Sequence, residues 1–225
     1  MEVLYEDNHL IIVNKTCREI VQGDKTGDRT LLDEIKDYLK TKYNKPGNVF
    51  LGLTHRLDRP TSGLVVFAKT SKALERMNAL FANHDVRKTY WAIVKEVPPA
   101  AEMHLENYLR RNEKQNKSYV AKNKDKDAKL AILDFQMIAS SDRYHLLSVN
   151  LHTGRHHQIR CQLAHIGCPI KGDLKYGFAR SNPDGGISLH ARHIEFEHPV
   201  THETVSVTAP VPNDNLWKEF EKSVG

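Results

Sequence analysis

The sequence predicts an α+β fold built on a largely antiparallel sheet. Short runs rich in β-branched and aromatic residues follow one another along the chain, and most are joined by turn segments rather than by helices. No internal repeat and no glycine-serine linker divides the 225 residues. We therefore expect a single domain over residues 1–225, bilobed, with a central cleft between its lobes.

The predicted strands begin with a hairpin, in which Asp7-Asn8 forms the turn between residues 3–5 and 10–14. Residues 63–69 form the next apolar run. Alternating or continuous apolar character then predicts further strands at residues 89–94, 104–110, 129–138, 144–151, 187–196 and 204–208.

Four helices are predicted from apolar residues spaced three and four apart. The first starts at Leu31 and spans about ten residues, with Thr30 as its N-cap. The second covers residues 71–82 with Ser71 as its N-cap, and the third runs from about 156 to 166 and ends at Gly167. A short last helix follows Pro212.

Composition places the chain among globular proteins, with 40% hydrophobic and 27% charged residues. Acidic residues in the first seven positions and the lack of a long apolar run exclude a signal peptide or a membrane span. Cys17, Cys161 and Cys168 form no C-x-x-C pair, which favours a reducing, cytoplasmic environment. We expect no membrane partner.

The net charge of +5 is compatible with an anionic partner such as nucleic acid. Residues 110–129 contain eight basic and three acidic side chains, an excess equal to that of the whole chain. Two interpretations stay open for this segment and its lysines Lys122, Lys124 and Lys126. They belong either to a mobile, solvated hairpin tip or to an arm that contacts phosphates.

Residues 54–64 place an acid between two arginines just before an apolar strand. The charges of Arg56 and Arg59 favour the ionised form of Asp58. An ionised carboxylate suits covalent or electrostatic catalysis at a sugar carbon. The alternative is that Asp58 forms a structural salt bridge and caps a turn, and spacing alone does not decide between the two.

Residues 151–160 contain a strand end, a glycine turn and a helix start in succession. Backbone N–H groups and Arg155 at such a turn can hold a phosphate, and Arg160 follows His156 by one helical turn. His152, His156 and His157 also raise the possibility of a metal site. Because His152 precedes the helix, no nearby carboxylate completes a ligand set and the arginines repel a cation, we expect no metal.

These two segments resemble the signature motifs of the pseudouridine synthases of the RluA branch, and other motifs of that family follow in the family's order over residues 3–209. Long ordered matches of this kind are far more specific than one short motif. The matching segments are His55-Arg56-Leu57-Asp58 with Thr61-Ser62-Gly63-Leu64, Lys88-Thr89-Tyr90-Trp91-Ala92, Thr153-Gly154-Arg155 with His157-Gln158-Ile159-Arg160, Gly167 to Asp173, Leu189-His190-Ala191 and His198-Pro199.

The chain departs from the family pattern in two places. Asn14-Lys15 runs into Thr16-Cys17-Arg18 where the family has an N-K-P-x-G-type turn, which leaves the contacts of that loop open. Many relatives also carry an N-terminal S4-type RNA-binding domain, which we do not expect here. Substrate selection is then expected to come from the catalytic domain itself.

The resemblance implies a pseudouridine synthase fold and an isomerase that converts uridine in structured ribosomal or transfer RNA to pseudouridine, with no cofactor and no metal. It assigns Asp58 as the residue that attacks C1′ of a flipped-out uridine. Tyr90 stacks on the base and is a candidate to help remove the C5 proton, although the residue alone is equally typical of a strand in the core. Arg160 is expected to pair with Asp58.

The resemblance also implies RNA contacts. His55 and Arg56 are expected to lie around the extruded nucleotide, Arg155 on a phosphate, and Leu189 as an apolar wall under the base. The expected molecule is a monomer. Two alternatives are a catalytically inactive RNA-binding homologue and a metal-dependent hydrolase that uses the histidines with Asp58.

Overall fold

The computed structural model describes residues 1–23, 27–122 and 127–225. The chain divides into two compact units, Met1–Val86 with Arg192–Pro210 and Arg87–Ala191 with Val211–Gly225. The strands are Glu2–Glu6 (β1), Leu10–Lys15 (β2), Gly52–Leu53 (β3), Ser62–Ala68 (β4), Arg87–Val94 (β5), Glu102–Asn112 (β6), Lys117–Val120 (β7), Lys129–Ser140 (β8), His145–Leu151 (β9), Leu189–Glu197 (β10) and Thr204–Thr208 (β11). The helices are Leu31–Lys42 (α1), Ser71–Ala82 (α2), Gln158–His165 (α3) and Asn215–Val224 (α4).

The first unit is built on antiparallel strands in the order β1-β2-β4, with β3 paired to the far end of β4. Every residue of β4 is buried, as are Leu10 to Val13 of β2, so both faces of this pair are covered. α1 buries Leu31, Ile35 and Leu39, and α2 buries Ala73 and Met77. The paired part of the β10–β11 hairpin, in register from His193 with Thr208 onwards, also belongs to this unit.

The second unit is an antiparallel sheet in the order β5-β9-β8-β6-β7. α4 contributes Trp217 and Phe220 to a buried cluster with Ile93 and Leu146. α3 contacts β6, β7 and a short 3-10 turn at Leu174–Tyr176. This packing holds the first turn of α3 against the β6–β7 hairpin.

The predicted α+β class with a largely antiparallel sheet is confirmed, and all nine predicted strands and four predicted helices are present within a few residues of their expected bounds. The sequence did not reveal β3, β7 or the 3-10 turn. β7 carries only four residues within a lysine-rich segment, so its apolar pattern is too short to stand out. The cleft expected between the lobes stays a prediction.

Two helix starts differ from the expected positions. α3 begins at Gln158 rather than near residue 156, because His157 adopts the left-handed conformation with φ of 53°. His156 therefore precedes the helix. The N-cap of α2 is Thr70 rather than Ser71, because the extended backbone of Thr70 lets its hydroxyl accept the Ala73 N–H at 3.1 Å. Within the described ranges, no helix is long and apolar enough to span a membrane.

We expect Thr70→Ala to lower the free energy of unfolding by about 1 kcal/mol, because the Ala73 N–H loses its acceptor. Ser71→Ala is the matched control and is expected to change this free energy by less than about 0.5 kcal/mol, since Ser71 is exposed. Urea denaturation followed by circular dichroism measures both values. A larger loss in Ser71→Ala than in Thr70→Ala would contradict the capping assignment.

Candidate active site

Asp58 lies in a turn that leads into β4. The Thr61 N–H donates to the Asp58 carbonyl at 3.0 Å, which closes a four-residue turn from Asp58 to Thr61. Leu57, Thr61 and Ser62 are buried, whereas Asp58 is only half-buried and Arg59 is exposed. The turn is thus flanked by buried residues and leaves Asp58 partly exposed.

The turn is fixed mainly by Lys15, at the end of β2. Lys15 is 1% exposed, and its ammonium group donates to the carbonyls of Thr61 at 2.7 Å, Arg59 at 2.9 Å and Asp58 at 3.3 Å. It also donates to the Thr16 carbonyl at 2.9 Å. Burial lowers the pKa of Lys15 to about 8, against the opposing effects of Glu19, Cys17 and Asp58. The group is therefore still largely protonated at neutral pH.

Sequence analysis assigned no role to Lys15, which directly precedes the departure at Thr16-Cys17-Arg18. In the loop that follows, the Thr16 N–H donates to Glu19 Oε2 at 2.6 Å. The effect of this departure on the reaction stays open.

The residues beside Asp58 have contacts of their own in the first unit. His55 accepts the Val66 N–H at Nε2, 3.1 Å away, and its ring lies 4.9 Å from the ring of Phe81. Arg59 donates to Asp28 at 2.7 Å, so part of its charge is committed to that carboxylate. Arg56 is exposed. The expected RNA contacts of His55 and Arg56 stay predictions.

Tyr90, Leu189, Arg155 and Arg160 belong to the second unit. Tyr90 is 8% exposed on β5, opposite Val149 of β9, and Leu189 is 4% exposed at the start of β10. Both side chains are therefore mostly covered, and their expected contacts with a base stay predictions.

Gln158 organises the glycine turn before α3. Its Oε1 accepts the Thr153 hydroxyl at 2.8 Å and the Arg155 N–H at 3.0 Å, while its Nε2 donates to the Ile132 carbonyl at 3.0 Å. Of the backbone N–H groups expected to be able to hold a phosphate at this turn, that of Arg155 thus already donates to Gln158. Arg155 Nε also donates to the Leu130 carbonyl at 2.8 Å, which restrains the guanidinium. The phosphate contact of Arg155 stays a prediction.

Arg160 lies in the first turn of α3 and is only 4% exposed, so it is not a solvent-exposed arginine of a helix surface. Asp173 accepts from it in a bidentate pair, Nε to Oδ2 at 2.6 Å and Nη2 to Oδ1 at 2.9 Å. Nη1 lies 3.1 Å from His157 Nε2. The expected pairing of Arg160 with Asp58 stays a prediction, and Asp173 is a partner that the sequence did not reveal, although its motif was matched.

His157 lies beside the Arg160 guanidinium and is itself buried. Burial lowers the pKa of His157 to about 2, and the charge of Arg160 acts in the same direction. The imidazole is therefore neutral at physiological pH. Because arginine has no acceptor, His157 Nε2 must accept from Arg160 Nη1 and Nδ1 must carry the proton.

Of the three histidines in residues 151–160, His156 and His157 stack with ring centroids 3.8 Å apart, and each has different polar partners. His152 pairs with Asp134, His156 lies against Ser118 and Asn116, and His157 lies between Arg160 and Tyr176. Across residues 1–23, 27–122 and 127–225, no group of three or more histidine, cysteine or acidic side chains has a geometry that could hold a metal ion.

The first half of the basic segment, residues 110–129, contributes to the β6–β7 hairpin. Its tip is held by Lys175, which donates to the carbonyls of Gln115 at 3.4 Å and Asn116 at 3.0 Å, and by His156, whose Nε2 lies 3.1 Å from Asn116 Oδ1. Lys122 is exposed beyond β7. Lys124 and Lys126 lie outside the described residues.

Comparison with known proteins agrees with the motif resemblance. The family model described as RNA pseudouridylate synthase matches residues 9–165. An uncharacterized RNA pseudouridine synthase of Chlorobaculum parvum is 35% identical over 236 residues, covering 94% of this chain and 71% of the relative. A ribosomal large subunit pseudouridine synthase D of Zymomonas mobilis is 32% identical over 95% of this chain and 70% of its own length. A tRNA pseudouridine synthase C of Vibrio cholerae is 31% identical over 100% of this chain and 96% of its own length.

Solved structures agree with the fold. The human RNA pseudouridylate synthase domain containing 4 has a TM-score of 0.80 at 23% identity, covering 99% of this chain and 92% of the other. The human RNA pseudouridylate synthase domain containing 1 has a TM-score of 0.74 at 21% identity, covering 96% and 85%. At these identities the likeness establishes the architecture alone, and the predicted fold is confirmed.

We expect the contribution of Lys15 to the free energy of unfolding to change with pH in the alkaline range. Its pKa is lower in the folded protein, about 8, than in the unfolded chain, so the unfolded state binds more protons between about pH 8 and 10.5. The free energy of unfolding of the native protein, relative to Lys15→Met, should therefore rise across this range, by up to about 3 kcal/mol.

Urea denaturation of both proteins at pH 7 and pH 10 measures this difference. Lys40→Met, at an exposed position of α1, is the matched control and is expected to show no such rise. A difference between native protein and Lys15→Met that is the same at both pH values would contradict the buried-lysine assignment.

Proposed function

The chain belongs to the RNA pseudouridylate synthase family and is an isomerase that converts uridine in RNA to pseudouridine, and we propose that Asp58 is the nucleophile of this reaction. The proposal is supported chiefly by the position of Asp58 at the aspartate of the family loop. The Lys15-anchored turn supports it as well, because it fixes the backbone that carries the half-buried Asp58.

In the proposed reaction, a carboxylate oxygen of Asp58 attacks C1′ of the target uridine. The N1–C1′ bond breaks, its electron pair stays on the uracil, and an ester forms between Asp58 and the ribose. The held uracil rotates, C5 then bonds to C1′, and the carboxylate leaves with the electrons of the ester bond. Loss of the C5 proton and protonation of N1 complete the balance, so no atoms are gained or lost.

We assign supporting roles to three residues of the second unit. Tyr90 stacks on the base and helps to remove the C5 proton, and Leu189 forms an apolar wall beneath the base. Arg160 supplies the positive charge that pairs with the Asp58 carboxylate. Its burial supports this role, because a surface arginine would be screened by water.

C1′ of a uridine stacked inside a helix is not accessible to a protein carboxylate, so the target uridine is expected to be flipped out. We propose that His55 and Arg56 contact the RNA around the vacated position and that Arg155 contacts a phosphate. We propose that Lys122, Lys124 and Lys126 make further phosphate contacts. The contacts of Lys175 with the carbonyls of Gln115 and Asn116 support this proposal, because they restrain the tip of the β6–β7 hairpin.

We propose ribosomal or transfer RNA as the substrate, because relatives of both names match nearly the whole chain. The reaction as proposed requires no metal or cofactor. We further propose that the protein acts as a monomer in the cytoplasm, where its three cysteines would stay reduced. The inactive RNA-binding homologue is disfavoured because Asp58, Tyr90 and Arg160 all stand at the positions of the family motifs.

We expect Asp58→Asn and Asp58→Ala to lower pseudouridine formation by at least about 1,000-fold, because neither side chain can form the ester. RNA affinity and the midpoint of thermal unfolding should stay close to native values. Asp37→Ala, an exposed acid on α1, is the matched control and should retain full activity.

A position-resolved map of pseudouridine in total RNA measures this effect. RNA would come from cells that lack the protein and from the same cells complemented with native protein or Asp58→Ala. A site restored by both proteins would remove Asp58 from the nucleophile role. A site restored by native protein alone would also identify the substrate.

We expect the triple variant Lys122→Gln, Lys124→Gln and Lys126→Gln to bind RNA more weakly and with a shallower salt dependence, since each lost phosphate contact removes one released counterion. The slope of log affinity against log salt should fall by up to about 2–3, with the maximal rate unchanged. The matched control replaces Lys40, Lys218 and Lys222, three exposed helix lysines. An unchanged slope in the first variant would return these lysines to the solvated interpretation.

A further inference from the structure

The environment of Arg160 contains more than its aspartate partner. Asp173 and His157 together accept three of the five N–H groups of the guanidinium, and both side chains are buried. Beyond His157, Tyr176 Oη lies 3.0 Å from His157 Nδ1 and 2.9 Å from the backbone nitrogen of Ser118. The Tyr176 ring also lies 5.1 Å from the guanidinium carbon. The four residues therefore form one connected set.

Only one arrangement of protons satisfies this set. Arg160 Nη1 donates to His157 Nε2, so His157 carries its proton on Nδ1 and donates it to Tyr176 Oη. Tyr176 Oη also accepts the Ser118 N–H and donates its own proton to the Ser118 carbonyl at 3.2 Å. A positively charged His157 would turn a second donor towards Arg160. The arrangement therefore requires a neutral imidazole.

The backbone around Asp173 is restrained as well. Its backbone carbonyl accepts the N–H groups of Tyr176 at 3.1 Å and Phe178 at 3.0 Å in the 3-10 turn. The preceding Gly172 has φ of 87° and lies so close to Asn182 that a Cβ would meet its side chain at 2.7 Å. The carboxylate is thus delivered to Arg160 from a backbone that has little freedom to shift.

From this geometry we propose that Asp173, His157 and Tyr176 are positioning residues that hold the guanidinium of Arg160 in one orientation for the reaction. The inference rests on the proposed role of Arg160. A long arginine side chain has many rotamers, and electrostatic catalysis needs the charge to be in place before the transition state forms. Contacts on two edges and one face of the guanidinium remove that freedom.

The competing interpretation is that the set stabilises α3 and does nothing for the reaction, as many buried salt bridges do. The two interpretations differ in one measurable respect. If the set acts through Arg160, its substitutions lose their effect on the rate once Arg160 itself is changed. A purely structural defect would persist in that background.

The experiment is a pair of double-mutant cycles. Asp173→Asn and Tyr176→Phe are each made in the native protein and in Arg160→Lys, with RNA extracted from cells that lack the protein as the substrate. The single-turnover rate is measured against enzyme concentration, which gives a maximal rate and a half-saturating concentration. Tyr144→Phe is the matched control in the second unit and should behave as native.

We expect Arg160→Lys to lower the maximal rate about 100-fold, Asp173→Asn about 100-fold and Tyr176→Phe about 10-fold, with half-saturating concentrations within about threefold of native. In the Arg160→Lys background, each second substitution should lower the rate by less than about threefold. Undiminished losses in that background, or native rates in both single variants, would overturn the proposal. If Asp173→Asn fails to fold, the Tyr176→Phe cycle alone decides, since it keeps the ring and its packing.

The same assay separates this proposal from the proposed function. Residual activity in Asp58→Ala would overturn the nucleophile assignment and leave the cycles interpretable. A native rate in Arg160→Lys and Arg160→Ala would overturn the positioning proposal, because no group would then need to be positioned.

Discussion

A buried positive charge must be surrounded by acceptors, and this constraint determines the conformation of both motif segments. In the first unit, Lys15 draws the carbonyls of Asp58, Arg59 and Thr61 around one ammonium group. In the second, Arg160 is matched by Asp173 and His157. Removing the acceptors from either cation would leave a buried charge without compensation, which is among the most destabilising changes a core can undergo. The cations therefore specify the local backbone as well as the local charge.

The two cations are compensated in different ways, which suits different tasks. Lys15 is surrounded by neutral carbonyls, so its full charge persists and attracts the nearby Asp58. Arg160 is paired with a carboxylate and a neutral imidazole, so its charge is partly balanced but its orientation is set by planar, bidentate geometry. The first arrangement mainly shapes a turn, and the second mainly orients a side chain.

Much of the fold could be predicted from the sequence because it depends on periodicity. The alternation in β5 and the helical spacing in α2 gave their bounds within about two residues. The contacts of Lys15, His157 and Asp173 could not be predicted in this way. Nothing in the local sequence shows that a lysine after an apolar strand will be 1% exposed, or that an aspartate thirteen residues away will meet Arg160. The motif resemblance marked these segments, but only tertiary packing shows which side chain meets which.

The lowered pKa values of His157 and Lys15 both make the free energy of unfolding increase with pH, each in its own pH range. The pKa of His157 is lowered by burial to about 2, so the unfolded chain binds an extra proton as pH falls below about 6.5, and the stability of the fold decreases. The pKa of Lys15 is lowered to about 8, so the fold gains stability as pH rises from there towards about 10.5. Near neutral pH, His157 is neutral and Lys15 is largely charged. These are the protonation states that their hydrogen bonds require, because His157 must accept from Arg160 and Lys15 must donate to several carbonyls.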